Sequence, residues 1–103
     1  MAAIKWTDQS LDDVRNIAEF IAKDSIKYAK IQTLIFFDRV EILKKHPKAG
    51  KIVIEYNNES IRELIQGSYR IIYRIVSQKR IDIITVHHSS RLLSNNPYIR
   101  GLE

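Results

Sequence analysis

The chain has 103 residues, no cysteine, and 17 Lys and Arg against 12 Asp and Glu, so its formal net charge is +5. This length predicts a single domain over residues 1–103, and the absence of cysteine excludes disulfides, thiolate metal sites and a cysteine nucleophile. No apolar run approaches the roughly 18 residues of a membrane span. We therefore expect a cytoplasmic protein that makes no membrane contact and binds an anionic partner.

The chain opens with a short predicted strand over residues 2–6. Thr7 or Asp8 can then cap a helix over residues 9–22, because both residue types accept hydrogen bonds from free backbone N–H groups. Apolar residues recur in this segment at helical spacing, from Leu11 to Ile21. The segment therefore predicts a first amphipathic helix.

A second and longer helix is predicted over residues 26–45. Ser25 can cap its start, and Pro47 and Gly50 follow its end. Its core-facing stripe is predicted from helical spacing as Ile26, Ala29, Thr33, Phe36, Phe37, Val40 and Leu43.

The second helix carries another apolar stripe on its far side, defined by Tyr28, Ile31, Ile35 and Ile42. Two interpretations remain open. In one, the first helix covers part of the stripe; in the other, the stripe is a partner surface, since exposed apolar patches commonly mark interfaces.

From residue 51 onward the hydrophobic period changes from helical to alternating. Strands are predicted over residues 60–65, 69–76 and 80–88, with turns at residues 66–68 and 77–79, and residues 51–55 are a candidate for a further short strand. The order β-α-α-β-β-β predicts an α+β fold in which a helical hairpin packs on one face of a mostly antiparallel sheet.

Arginine is concentrated in the second half of the chain, which holds six of the eight. Alternation places Tyr69, Ile71, Tyr73 and Ile75 on the helix-covered face of their strand, which leaves Arg70 and Arg74 on the open face. Arg62 is expected to join them from the neighbouring strand. Three Arg side chains on a rigid sheet can grip phosphate or carboxylate oxygens; the alternative is a set of solvated Arg that protects the sheet from aggregation.

The last strand ends in His87 and His88, which point to opposite faces. A two-residue turn at Gln78 and Lys79 sets His87 opposite Arg70, and a turn one residue longer sets His88 there. A His beside Arg can act as a general acid or base, although a half-buried structural His is the more common case. No carboxylate or third His has a spacing that suggests a metal site, and no cofactor motif is present.

In chain order, several segments resemble the RelE/ParE superfamily of toxins from bacterial type II toxin–antitoxin systems. They are residues 4–7, the first helix with Ile17 and Ile21, Asp24 and Ser25, and residues 43–50, 61–64, 69–74 and 86–91. The resemblance covers nearly the whole chain and implies the α+β fold predicted above.

The superfamily implies two activities. ParE-like members inhibit DNA gyrase and are not enzymes, whereas RelE-like members are metal-independent endoribonucleases that cut mRNA on the ribosome. Residues 61–64 and 88–91 are more similar to the ParE branch, so gyrase inhibition is favoured. Arg62, Arg70, Arg74 and Arg91 are the expected target-binding residues; under the ribonuclease alternative Arg70, Arg62, Arg74 and His88 are the expected catalytic residues.

The resemblance also implies a cognate antitoxin and a toxin–antitoxin hetero-oligomer. We expect an acidic, amphipathic antitoxin segment to cover the stripe Tyr28, Ile31, Ile35 and Ile42. A third interpretation is a binding module with a toxin fold and no toxicity.

Overall fold

A computed structural model describes residues 1–89 of the protein. Its elements are β1 (Ala3–Trp6), α1 (Asp8–Ala22), α2 (Ile26–Arg39), a 3₁₀ helix (Val40–Lys44), β2 (Lys51–Ile52), β3 (Ile61–Gln66), β4 (Tyr69–Ser77) and β5 (Arg80–His88). This order confirms the predicted α+β fold. Within residues 1–89, neither helix combines the length and apolar character that a bilayer crossing requires.

Both helices begin at side-chain caps. The Thr7 hydroxyl accepts a hydrogen bond from the Ser10 N–H at 3.2 Å, and the Ser25 hydroxyl accepts one from the Tyr28 N–H at 3.1 Å. Each cap satisfies a donor that the helix itself leaves unpaired. The first helix therefore begins where the sequence predicts.

The predicted single helix over residues 26–45 is wrong in its last turn. The α-helix ends at Arg39, and residues Val40–Lys44 continue as a 3₁₀ helix. A 3₁₀ helix superposes side chains three residues apart, so Val40 and Leu43 both stay on the core-facing side predicted for them, at 1% and 0% exposure. The change of winding thus alters the type of helix and not the buried stripe.

The sheet has five strands in the order β1-β5-β4-β3-β2. The edge strand β1 runs parallel to β5, and the other neighbours are antiparallel. In the β4–β5 hairpin Ser77 pairs with Arg80, which leaves a two-residue turn. Val76 in β4 and Ile84 in β5 are each an extra residue without a partner in the ladder, so the two irregularities offset each other and Arg70 faces His87.

The main core lies between the helices and one face of the sheet. Phe36 and Val40 pack there against Ile71, Tyr73 and Ile83, which confirms the predicted covered face of β4. Ile26 is an exception to the predicted stripe, because it is 66% exposed. It is the first residue of α2, where it lines an open groove between α1 and α2.

The opposite face of the sheet is not fully open. Residues 53–60 fold over it and form a second small core, in which Val53 packs with Ile61, Ile72, Ile84 and Tyr56. The predicted strand over residues 51–55 is correspondingly short. The C=O of Val53 accepts from the N–H groups of both Tyr56 and Asn57, so the chain turns there instead of continuing along the sheet.

Candidate functional site

Arg70 lies on the face of the sheet opposite the helices, where its guanidinium is held by two carboxylates. Its Nε donates to Glu63 Oε2 at 2.6 Å. Its Nη1 and Nη2 donate to the two carboxylate oxygens of Glu55 at 2.9 and 3.0 Å. Arg70 is therefore the centre of a three-residue ion-pair cluster, and its side chain is only 14% exposed.

The two carboxylates differ in their surroundings. The Glu63 side chain is 5% exposed and also lies 3.6 Å from Lys51 Nζ, whereas the Glu55 side chain is 44% exposed. The hydrogen bonds from Arg70 hold the pKa of the Glu55 carboxyl below its usual value. Hydrogen bonding to Glu55 in turn raises the pKa of Arg70, so both groups stay charged.

Arg62 does not join Arg70, and its predicted position on the open face is wrong. Arg62 pairs with Tyr73 in the ladder, so it lies on the helix side of the sheet. Its guanidinium donates to the backbone C=O of Glu59 and of Gly50, both at 2.9 Å. Arg62 is thus an internal tie for the segment between β2 and β3.

Arg74 lies on the same face as Arg70 and is exposed. It stands four residues along β4, about 13 Å away at the rise of a strand, so the two guanidinium groups cannot grip one phosphate together. Its ladder partner Asp82 also pairs with Arg80 at 2.9 Å, and the hydrogen bond from Arg80 lowers the pKa of Asp82. Arg91 lies outside the described residues.

The register of the β4–β5 hairpin determines which histidine faces Arg70. His87 pairs with Arg70, is 8% exposed, and lies close enough to Glu55 to lower its pKa. His88 lies on the other side of the sheet, where its ring meets Tyr69 edge-on with centroids 5.5 Å apart. Of the two alternatives left open by the sequence, the one with the two-residue turn holds: His87 faces Arg70, and the candidate catalytic residue His88 does not.

Sequence reasoning did not identify Glu55 and Glu63 as partners of Arg70. For Glu63 the sequence does hold a signal. If Leu64 packs in the main core, alternation along the strand places Arg62 on the helix side of the sheet and Glu63 on the side of Arg70. For Glu55 no local signal exists, because a turn and not a strand carries it over the sheet. Within residues 1–89, no three acidic or His side chains are grouped so that they could hold a metal ion.

Most of the second stripe of α2 is exposed, and Ile35 is half-buried. Tyr28, Ile31 and Ile42 are 65%, 40% and 44% exposed. α1 packs on the opposite side of α2, where Ala29 and Thr33 line a groove with residues of α1. The interpretation in which the first helix covers the stripe is therefore wrong.

Near Ile42 the surface continues into a second groove of about 690 Å³. Apolar side chains of Ile42, Pro47 and Ile75 line it, together with Lys45 and Lys48. Apolar and basic side chains thus meet at the end of α2 and its 3₁₀ continuation.

Comparison with known proteins agrees with this architecture. The chain matches the family described as "ParE toxin of type II toxin-antitoxin system, parDE" over residues 4–93. It is similar to a solved structure entitled "Chromosomal ParDE TA system from P. aeruginosa", with a TM-score of 0.70 and 19% identity, over 85% of this chain and 96% of that one. No curated protein is similar enough in sequence to count as a match. Since the family match covers most of the chain and the fold agrees, the protein belongs to the ParE toxin family of type II toxin–antitoxin systems.

Proposed function

We propose that this ParE-family toxin inhibits DNA gyrase in the cytoplasm and is neutralised by a cognate antitoxin. The observation that carries the proposal is the family match over residues 4–93. The dispersal of the candidate catalytic residues supports it. Arg62 is tied to backbone on one face, Arg70 is bound by two carboxylates on the other, and His88 lies on the side away from Arg70.

A supercoiling assay with purified gyrase and relaxed plasmid tests this function. Micromolar toxin should block supercoiling. Arg74→Ala should raise the toxin concentration required, and the difference should shrink as salt rises, because an exposed charge acts mainly through screened attraction. Arg15→Ala is the matched control, since Arg15 is an exposed Arg on α1 that pairs with Asp12 at 3.0 Å. Active gyrase that is unaffected by the toxin would refute the proposal.

A ribosome-dependent mRNA endonuclease is the second candidate, favoured by one observation: Arg70 faces the buried His87. Arg could stabilise charge on a phosphate and His could move protons. Toeprinting on programmed ribosomes separates this candidate from the first. Cuts that disappear in Arg70→Ala would support the endonuclease, and intact message would exclude it.

A non-toxic binding module is distinguished more simply. Expression of the toxin without antitoxin should arrest growth. Normal growth with full-length protein detected in the soluble fraction would instead indicate the module.

For neutralisation, we propose that an acidic, amphipathic antitoxin segment covers the stripe Tyr28, Ile31, Ile35 and Ile42. The exposure of three of these four side chains supports this role, and the adjoining Lys45 and Lys48 offer charge pairing. A segment that orders on binding must offset its ordering cost with such contacts. The product is a toxin–antitoxin hetero-oligomer.

The test is Ile35→Asp, with folding checked by circular dichroism. Each buried Ile contributes about 1.5–3 kcal/mol, so antitoxin binding should weaken at least about tenfold. Ile26→Asp is the matched control, since Ile26 is 66% exposed on the other side of α2. Equal losses for the two variants, or no loss for folded Ile35→Asp, would remove the stripe from the antitoxin site.

A further inference from the structure

The two carboxylates that bind Arg70 lie on different edges of its guanidinium and meet at Nη2. Glu63, from the neighbouring strand β3, lies on the inner edge, with its Oε2 2.6 Å from Nε and 2.5 Å from Nη2, and is almost fully buried. Glu55 binds the two terminal nitrogens, one oxygen to each, at 2.9 and 3.0 Å. Paired donation of this kind is how Arg grips an external carboxylate or phosphate. Glu55 therefore fills the position that an anionic ligand would take.

Only Glu55 can leave this position without disturbing the fold. Its side chain is 44% exposed, so it can rotate into water with little desolvation cost. The turn that carries it is anchored by neighbours, since Val53 is fully buried and Tyr56 packs in the same small core. Glu63 is 5% exposed, and it would still orient the guanidinium after Glu55 had left.

We propose that the outer edge of the Arg70 guanidinium, formed by Nη1 and Nη2, is a phosphate-binding site that Glu55 occupies as a displaceable internal ligand. The proposal deepens the target-binding role given above to Arg70. Phosphate fits the site because its oxygens match the paired terminal nitrogens and carry more charge than the carboxylate they replace. Lys51, 3.6 Å from Glu63, and the net charge of +5 further favour an incoming anion.

While Glu55 occupies the site, an external ligand cannot bind there. The apparent affinity for that ligand therefore equals the intrinsic affinity multiplied by the fraction of time for which the site is open. Removal of the Glu55 charge should therefore tighten phosphate binding. A site that is closed nine-tenths of the time or more gives a gain of about tenfold or more, which corresponds to about 1.4 kcal/mol. The same charge removed elsewhere on the loop should give no such gain.

The experiment is a titration of the full-length, ¹⁵N-labelled toxin with inorganic phosphate at constant ionic strength, followed at the Arg70 Nε–H signal. Glu55→Gln should bind phosphate at least tenfold more tightly than the native protein. Glu59→Gln, an exposed carboxylate of the same loop, should bind like the native protein. Arg70→Gln combined with Glu55→Gln has no guanidinium signal and is followed at the backbone amide signals of β4; it should lose the gain. An unchanged backbone spectrum outside residues 53–60 establishes that the fold is intact.

Equal affinities in the native protein and Glu55→Gln would overturn the proposal, as would a gain of the same size in Glu59→Gln or one that persists without Arg70. A parallel titration with a short single-stranded oligonucleotide separates the two sources of phosphate. A gain with both probes assigns the site to a nucleic-acid backbone, and a gain with inorganic phosphate alone assigns it to free phosphate. Because no gyrase is present, failure of this test is distinct from failure of the proposed function.

Discussion

Replacement of Tyr73 by Phe should remove the tie that holds the end of the 3₁₀ helix against the sheet. Tyr73 is fully buried in the main core. Its hydroxyl donates to the Pro47 C=O at 2.7 Å and accepts from the Gly50 N–H at 2.9 Å. Phe keeps the ring and leaves both backbone groups without their partner.

The expected loss follows from those two groups. A buried donor or acceptor left unsatisfied costs about 1–3 kcal/mol. The hydrogen bond from the Gly50 N–H is buried and the one to the Pro47 C=O is only partly buried, so the second loss falls at the low end of this range and the two together should lower the free energy of unfolding by about 2–4 kcal/mol. For a domain of this size the corresponding fall in Tm is roughly 10–25 °C. Urea unfolding followed by circular dichroism measures the loss, and an unchanged m-value shows that the unfolding reaction is the same.

Tyr69→Phe is the matched control. Tyr69 is on the same face of the same strand, and its ring meets Phe36 edge-on. Its hydroxyl makes no hydrogen bond to the described part of the chain, so this variant should stay within about 0.5 kcal/mol of the native protein. Similar stabilities for the two variants would refute the role of the Tyr73 hydroxyl.

Three further predictions concern stability. Arg62→Gln should lower the free energy of unfolding in urea by about 1–3 kcal/mol, because two backbone C=O groups lose their donor. Arg74→Gln, at an exposed position, should lower it by less than about 0.5 kcal/mol. The opposite order would contradict the placement of Arg62. Gly50→Ala should lower the free energy of unfolding by about 1–3 kcal/mol, measured by thermal unfolding, because the new Cβ would lie 2.5 Å from the Glu63 C=O oxygen. Gly67→Asn should be tolerated, because no atom lies within 4 Å of the new Cβ and Asn adopts a φ of 59° readily. The pKa of Glu55 is lowered by its pairing with Arg70, so this pairing stabilises the fold above the usual carboxyl pKa of 4.5. The contribution is lost as the pH falls through the lower pKa of the folded state. Glu55→Gln should therefore flatten that part of the stability–pH curve, and an unchanged curve would contradict the pairing.

The sequence predicted the elements that depend on local signals. Caps at Thr7 and Ser25 fix both helix starts, and alternation in β4 identifies the face that meets the helices. The sequence left two turn lengths open for the β4–β5 hairpin, and the structure has the two-residue turn at Gln78 and Lys79 that places His87 opposite Arg70. Two offsetting irregularities preserve the register that this turn sets.

The errors arise where residues distant in sequence determine the outcome. β3 has apolar residues on both faces, so alternation alone does not show which face meets the helices. One of those faces packs in the second small core, which forms only because the turn after β2 brings Val53 over the sheet. Arg62 was therefore assigned to the wrong face, and the carboxylate partners of Arg70 were missed. No local pattern could indicate that Glu55 would be carried across the sheet to Arg70.

The most direct test of the proposed gyrase inhibition is whether the toxin leaves gyrase trapped on cleaved DNA. Purified gyrase and plasmid are incubated with toxin, the reaction is stopped with detergent and protease, and linear DNA is measured beside supercoiling activity. If the toxin inhibits gyrase, supercoiling is lost with increasing toxin, linear DNA accumulates, and the antitoxin reverses both effects. Unimpaired supercoiling without linear DNA, from a toxin preparation that arrests growth when expressed, would contradict the proposed inhibition.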